Sequence, residues 1–178
     1  MREDIDKILV SVDELDEITS RLGKKISKDY EGEELLLCGI LKGSVVFMAD
    51  IMRKITIPCS IDFMCVSSYG SDTRSSGAVK IIKDLSQDIA GKNVILIEDI
   101  LDTGVTLSHL SQMLSVRNPK SLRICTLLDK PERRKSDVIP DYVGKQVPDE
   151  FVVGYGLDYD EKYRNLPYIG ILKREIYE

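Results

Sequence analysis

The sequence lacks several features on which whole classes of protein depend. It has no Trp, one His at position 109, and four Cys residues without a CxxC pair: Cys38, Cys59, Cys65 and Cys125. Reduced thiols are therefore favoured over a zinc or disulfide site. No apolar run approaches the roughly 18 to 20 residues of a membrane span, and the start MREDIDKILV lacks a signal-peptide layout. These absences predict a cytoplasmic protein with no membrane partner.

A concentrated excess of positive charge is also missing. The chain has 25 basic and 30 acidic residues, a formal net charge of -5, and Arg133-Arg134-Lys135 is its longest cluster of like charge. A dedicated nucleic-acid surface needs a larger basic footprint, so no nucleic-acid partner is expected. The length of 178 residues and a hydrophobic content of 43% predict one globular domain.

Helical spacing marks the N-terminal part of the chain. Val12, Leu15, Ile18 and Leu22 are three or four residues apart, and Gly23 follows them. This spacing predicts an amphipathic helix, for which Gly23 is the expected end.

Short apolar strands alternate with helices in the remainder. LLLCGIL precedes the helical SVVFMADIMRKI, and NVILIEDI precedes the helical VTLSHLSQML. Further strand-like runs are IDFMCVSS, VKII, LRICTLLD, DYVG, FVVGYGL and YIGIL. The alternation predicts an α/β fold, doubly wound, with a mainly parallel sheet flanked by helices. Ligands bind such sheets at the carboxyl ends of the strands.

The run VILIEDILDTGVTL combines an apolar strand with three acids, Glu98, Asp99 and Asp102. One interpretation is structural, with Asp102 or Thr103 capping the helix that begins near Val105. The other is a binding site, because the turn from residue 103 to 106 offers successive N–H groups and hydroxyls to a phosphate monoester. Carboxylates would repel that phosphate unless they serve sugar hydroxyls, a cation or a proton.

The stretch from Val94 to Thr106 resembles the 5-phosphoribosyl-1-pyrophosphate (PRPP) motif of phosphoribosyltransferases, and the whole chain resembles the bacterial hypoxanthine-guanine phosphoribosyltransferases. Three further regions carry the resemblance: GILKGS at 39–44, SSYG at 67–70, and DKP at 129–131 followed by FVVGYGLDY at 151–159 and Arg164. These segments have the order and spacing of the family.

The resemblance implies the type I phosphoribosyltransferase fold. It implies one domain over residues 1–178, with a core from about 35 to 150 and a small hood formed by segments of about 1–30 and 151–178. The implied activity is a Mg²⁺-dependent purine salvage reaction that couples hypoxanthine or guanine to PRPP and yields IMP or GMP and pyrophosphate. The family commonly forms dimers or tetramers, so a homo-oligomer is expected.

The resemblance also assigns roles around the sugar. Glu98 and Asp99 would bind the ribose hydroxyls, directly or through Mg²⁺, and Asp102 would be the general acid/base. The 5-phosphate would be held by Asp102, Thr103, Gly104, Val105 and Thr106. Val105 departs from the family, in which other members carry lysine at this position. Asp102 retains its alternative role as a helix cap.

The pyrophosphate and the purine would be bound by residues that follow other strands. The pyrophosphate set is Leu41, Lys42, Gly43 and Arg164, and the family usually holds the Leu41–Lys42 peptide cis. The purine set is Ile100, Lys130, Phe151, Val152 and Asp158. Within it, Lys130 would donate to the 6-oxygen, Phe151 would stack on the base or serve as a plain core aromatic, and Asp158 would hold a second Mg²⁺.

A lid and two rival functions complete the predictions. Ser68 and Tyr69 would begin a loop that closes over the reaction and excludes water. His109 is assigned a structural role.

The rivals are a regulator that keeps the PRPP fold and binds RNA, and a transferase specific for xanthine or a pyrimidine; Lys130 and Phe151 argue against pyrimidines.

Overall fold

The structure is a computed structural model that describes residues 1–68 and 79–178. Its strands are β1 (Ile5–Val10), β2 (Leu35–Leu41), β3 (Cys59–Ser68), β4 (Val79–Lys83), β5 (Asn93–Leu101), β6 (Ser121–Asp129), β7 (Tyr142–Gln146), β8 (Val152–Val153) and β9 (Ile169–Leu172). Its α-helices are α1 (Val12–Asp29), α2 (Val45–Lys54), α3 (Val105–Ser115) and α4 (Arg174–Tyr177), and short 3-10 turns span Arg2–Asp4 and Pro131–Arg133.

The main sheet has the order β4-β3-β2-β5-β6-β7 within the described ranges. Strand β2 pairs in parallel with β3 and β5, and β6 lies parallel to both β5 and β7. Strand β4 is antiparallel to β3 at one edge. The predicted α/β fold with a mainly parallel sheet is confirmed.

Two hydrophobic clusters cover the two faces of this sheet. Leu35 and Leu37 belong to the cluster that contains α1 and α2, whereas Leu36 and Cys38 belong to the cluster that contains α3. Successive strand residues point to opposite faces, so a strand buried on both sides must be apolar throughout. This explains the uninterrupted apolar run at the start of β2.

Helix α1 continues past the end that the sequence predicted. Ser11 caps it by accepting a hydrogen bond from the Glu14 N–H at 3.2 Å, and the helix runs on to Asp29. Gly23 therefore lies inside it, which corrects the predicted end. A Cβ at this position would be 2.5 Å from Cβ of Lys54 in α2, so glycine permits the close approach of the two helices. Among the described helices, none is both long and apolar enough to cross a membrane.

The two ends of the chain form a separate sheet of order β1-β9-β8. Strand β9 is antiparallel to both neighbours, with Val10 opposite Ile169 and Val153 opposite Gly170. Of the predicted hood segments, β1, β8 and β9 lie in this small sheet. Helix α1 instead packs with α2 in the hydrophobic cluster on one face of the main sheet. A Cβ placed on Gly144 of β7 would be only 2.9 Å from Ile18, so α1 lies close against that strand.

Candidate active site

A cavity of about 350 Å³ lies at the carboxyl ends of β2 and β5. It gathers most of the residues predicted to bind sugar, phosphate and pyrophosphate: Leu41, Lys42, Gly43, Glu98, Asp99, Asp102, Thr103, Gly104, Thr106 and Arg164. Two residues of the predicted purine set, Ile100 and Asp158, also line it. A larger cavity of about 620 Å³ lies between α1, α2 and the 155–167 segment, but it shares only Arg164 with this set. The smaller cavity is therefore the candidate site.

Two adjacent carboxylates form the floor of this cavity. Glu98 and Asp99 lie within β5, which continues to Leu101 rather than ending at the acids. Burial raises the pKa of Glu98 well above its ordinary value, and the neighbouring Asp99 carboxylate raises it further. Burial also raises the pKa of Asp99, although Arg164 opposes that rise. The Oε2 atom of Glu98 is buried without a hydrogen-bond partner among the described residues.

The loop after β2 lies directly against Asp99. A Cβ on Gly43 would be only 1.6 Å from Oδ2 of Asp99, and a Cβ on Gly156, whose φ is +102°, would be 2.1 Å from the Gly43 carbonyl oxygen. Gly156 therefore packs on Gly43, and Gly43 packs on Asp99, at distances that only glycine allows. The peptide between Leu41 and Lys42 is cis, as predicted.

The turn after β5 has no side-chain helix cap. Gly104 is the N-cap residue of α3, with φ +77°, and makes no side-chain cap bond. The Thr103 hydroxyl accepts a 3.4 Å hydrogen bond from the Val105 N–H at the first residue of α3. Val105, predicted to contact the 5-phosphate, is not among the residues that line the cavity. The carboxylate of Asp102 does not cap the helix, so the structural alternative for Asp102 is wrong.

Arg134 fixes the backbone of this turn. Its guanidinium donates to the carbonyl oxygens of Asp102 at 2.9 Å and Leu101 at 3.3 Å, and pairs with the buried carboxylate of Asp129. Sequence reasoning assigned no role to Arg134, since only its place in a basic cluster marked it. A Cβ on Gly104 would lie 3.1 Å from Cδ of Arg134, so the turn and this side chain are in close contact.

A second arginine joins the predicted acid/base to the predicted purine residues. Nε of Arg133 lies 3.0 Å from Oδ1 of Asp102, and its NH1 group donates to Asp149 at 3.2 Å. The Nζ atom of Lys130 is 3.9 Å from Asp149 and donates to the Glu150 carbonyl oxygen at 2.6 Å. Arg133 and Asp149 are site residues that the sequence did not reveal.

Lys130 is the buried member of this group, with only 6% of its surface exposed. Burial lowers its pKa, and the negative charge of Asp102 is the largest influence that opposes the shift. The structure therefore brings Lys130 within electrostatic reach of Asp102 although neither residue is near the other in sequence. Its backbone N–H also bonds the Leu101 carbonyl oxygen at 2.9 Å.

Phe151 keeps one exposed edge among aromatic neighbours. It is 36% exposed, stacks on Tyr177 with ring centroids 4.8 Å apart, and meets the edge of Tyr159 at 5.5 Å. The adjacent Val152 is buried in β8. Phe151 and Val152 lie outside the set that lines the 350 Å³ cavity, as does Lys130.

Ion pairs link the predicted pyrophosphate residues to acids. Arg164 donates to the Gly156 carbonyl oxygen at 2.7 Å and lies 2.8 Å from Oδ1 of Asp158. Lys42 donates to both carboxylate oxygens of Glu161 at 3.1 Å. Glu161 also approaches Arg164 at 3.5 Å, a contact that no sequence pattern indicated.

The remaining predicted residues have separate positions. Ser68 ends β3 opposite Val79, and Tyr69 lies outside the described residues, so the lid stays a prediction. His109 is exposed on α3, where its Nδ1 atom lies 2.8 Å from the Val105 carbonyl oxygen. Within residues 1–68 and 79–178 no group of three or more His, Cys, Asp or Glu side chains forms a ready metal cluster.

Comparison with known proteins decides the family. A family model described as phosphoribosyl transferase domain matches residues 11–160. The hypoxanthine-guanine phosphoribosyltransferase of Staphylococcus aureus strain Mu50 is 54% identical over 177 residues, which is 99% of each chain. The chain belongs to the hypoxanthine-guanine phosphoribosyltransferase family. The sequence resemblance and the predicted enzyme class are confirmed.

Solved structures of this family share the fold throughout. A crystal structure of a Staphylococcus aureus hypoxanthine phosphoribosyltransferase superposes with a TM-score of 0.97 at 53% identity, covering 100% of this chain and 97% of that one. A mutant of the Trypanosoma cruzi enzyme, in a ternary complex with substrates, gives a TM-score of 0.95 at 40% identity and covers 99% of this chain and 100% of that one. The family fold therefore extends over both sheets.

Proposed function

We propose that this phosphoribosyltransferase couples hypoxanthine or guanine to PRPP, forming IMP or GMP and pyrophosphate. The observation that carries the proposal is the gathering, in one cavity, of an acid pair, a helix-start turn and two cations. These groups suit the diol, the 5-phosphate and the pyrophosphate of a single ligand. The names of the related enzymes supply the purine part of the proposal.

The donor set beside β5 suits a magnesium ion that arrives with PRPP. Glu98 Oε2 is buried without a partner among the described groups, and Asp99 is adjacent. Magnesium commonly uses one or two carboxylates and takes its other ligands from phosphate and water, so a preformed three-residue cluster is not required. Glu98 and Asp99 would hold one ion and Asp158 a second, and the metal would stabilise negative charge on the departing pyrophosphate.

Asp102 is proposed as the general acid/base. Its carboxylate makes no helix-cap bond, belongs to a residue that lines the cavity, and is close enough to Lys130 to oppose the lowering of that lysine's pKa. We therefore place it within reach of a purine nitrogen at the reacting end of the base. Arg133 would hold the carboxylate in the absence of a base. The role requires only that Asp102 accept or return one proton as the glycosidic bond is made or broken.

Lys130 is proposed to select 6-oxopurines. Its ammonium is buried and bonds a single main-chain carbonyl, Glu150, among the described hydrogen bonds. A 6-oxygen could accept a further bond, whereas the amino group of adenine could not and would leave a second N–H donor of the buried ammonium without a partner. Ile100 and Phe151 would enclose the base between apolar surfaces, with the Val152 backbone at its edge.

A pyrophosphate-release assay with PRPP, Mg²⁺ and one base at a time tests the proposal. Hypoxanthine and guanine should support turnover, and adenine and pyrimidines should not. Xanthine is included because the same carbonyl is present at its 6-position. Absence of turnover with every 6-oxopurine would contradict the proposed substrate class. We further propose a cytoplasmic homo-oligomer, a dimer or tetramer, which sedimentation analysis would identify.

A further inference from the structure

The two cations proposed to bind pyrophosphate are already bound to a carboxylate. Glu161 receives two hydrogen bonds of 3.1 Å from Nζ of Lys42 and lies 3.5 Å from the NH2 group of Arg164. Lys42 follows β2, whereas Glu161 and Arg164 belong to the loop between β8 and β9. The Glu161 carboxylate thus contacts two cations that lie on separate segments of the chain.

We infer that Glu161 acts as an internal anion that PRPP or pyrophosphate must displace. The inference rests on the proposed function, because that function assigns Lys42 and Arg164 to the pyrophosphate. A carboxylate carries one negative charge, and a diphosphate carries more charge and more acceptor oxygens, so the ligand competes successfully for the same donors. Glu161 would therefore set the affinity of the site without contacting the reacting atoms.

The surroundings of Glu161 allow such an exchange. Its side chain is 65% exposed and that of Lys42 is 62% exposed, so the pair can separate into water without leaving a buried charge. The hydrogen bond from the Lys42 ammonium is the largest influence that lowers the pKa of Glu161, so the contact favours the charged carboxylate. The ion pair between Lys42 and Glu161 can thus form in the free protein and be replaced when an anionic ligand binds.

Arg164 provides an independent indication that an anion binds here. Its Nε atom is buried and has no hydrogen-bond partner in the described part of the chain, while its NH1 group is fixed by the Gly156 carbonyl oxygen. Its NH2 group is shared by Asp158 at 2.8 Å and Glu161 at 3.5 Å. The longer of these contacts is the one that an incoming phosphate oxygen would replace.

The loop that carries Glu161 offers a matched control. Asp160 is the preceding residue, has φ 50° where Glu161 has φ 58°, and pairs with Lys162 at 3.1 Å. Asp160→Asn and Glu161→Gln each remove one negative charge and keep the side-chain size in the same backbone conformation. Only Glu161→Gln removes a carboxylate from the cations of the cavity: it releases Lys42 and leaves Arg164 with its 2.8 Å contact to Asp158.

The decisive measurement is calorimetric titration of the whole protein with inorganic pyrophosphate and Mg²⁺. Glu161→Gln should lower Kd by about three- to fivefold at low salt, the upper range for an exposed ion pair. The difference should shrink as added salt screens the pair. Asp160→Asn should remain within about twofold of the unmodified protein.

Steady-state kinetics supplies a second readout. Glu161→Gln should lower KM for PRPP by the same factor and strengthen product inhibition by pyrophosphate, with KM for the purine unchanged. Unchanged or weaker pyrophosphate binding in Glu161→Gln would overturn the inference, as would equal tightening in Asp160→Asn. If no 6-oxopurine supports turnover, the proposed function fails, and the calorimetric comparison still decides the role of Glu161.

Discussion

Arg134 provides a quantitative test of how the turn after β5, at residues 102–104, is held. Its guanidinium pairs with Asp129 and donates to the carbonyl oxygens of Leu101 and Asp102. Replacing it with Met keeps much of the aliphatic stem but removes every donor. The buried carboxylate of Asp129, only 6% exposed, would then have lost its cation.

The magnitude follows from this burial. Removing one partner of a buried ion pair costs about 3 to 5 kcal/mol, because the remaining charge is left desolvated. Arg134 is itself 17% exposed, so water can partly replace it and we expect the lower value, about 3 kcal/mol. For a chain of this size each kcal/mol shifts Tm by about 2 to 4 °C, which predicts a decrease of about 6 to 12 °C.

Thermal unfolding of single and double variants tests this reasoning. Arg134→Met combined with Asp129→Asn should be less destabilised than the sum of the two single variants, because the double variant has no unpaired buried charge. Lys135→Met is the control: Lys135 is exposed, and its backbone N–H, not its side chain, bonds the Thr103 carbonyl oxygen. A loss below about 1 kcal/mol for Arg134→Met, or simple additivity in the double variant, would refute the argument.

The remaining predictions concern activity. Asp102→Asn should lower kcat by about 10²- to 10⁴-fold, the usual contribution of acid–base catalysis, while calorimetry shows PRPP binding within about twofold. Gly43→Ala should raise KM for PRPP at least tenfold, because its Cβ would lie 1.6 Å from Asp99 Oδ2. Gly91→Ala is the control: its Cβ would meet no atom within 4 Å, so it should lower stability through its φ of +71° and leave the kinetics unchanged. Burial lowers the pKa of Lys130, so its ammonium deprotonates at a less alkaline pH than an ordinary lysine, and KM for hypoxanthine should rise across that range. A pH profile of Lys130→Met should lack this rise.

Local patterns in the sequence were sufficient to predict the fold and to select many of the residues that line one cavity, whose roles stay predictions. The apolar run in β2 and the strand–turn–helix around β5 predicted a parallel sheet, because burial on both faces leaves no polar alternation. The sheet then brings the ends of β2 and β5 together, with Gly39 opposite Ile97. Residues that directly follow these strands were therefore predictable as neighbours.

Contacts made across the fold were not predictable in the same way. Gly23 has the local features of a helix end, and only the approach of α2 explains its place inside α1. Lys42 and Glu161 are 119 residues apart in the chain, so no local spacing could pair them. The choice of partner for a long charged side chain depends on where loops meet, and sequence periodicity does not encode that position.

The arrangement of charge in the cavity bears on the proposed binding of an anionic ligand, because the cavity contains several acids. Glu98, which is half-buried, and the buried Asp99 are adjacent and both have raised pKa values, so adding negative charge nearby is unfavourable unless a cation accompanies it. On the opposite side, Lys42 is neutralised by Glu161, which prevents unpaired positive charge in the absence of ligand. A diphosphate ligand with bound magnesium would suit both groups of charges. Its metal ion would bind Glu98 and Asp99, and its phosphate oxygens would accept hydrogen bonds from the cations. Binding of the diphosphate without metal should accordingly be much weaker than binding with it.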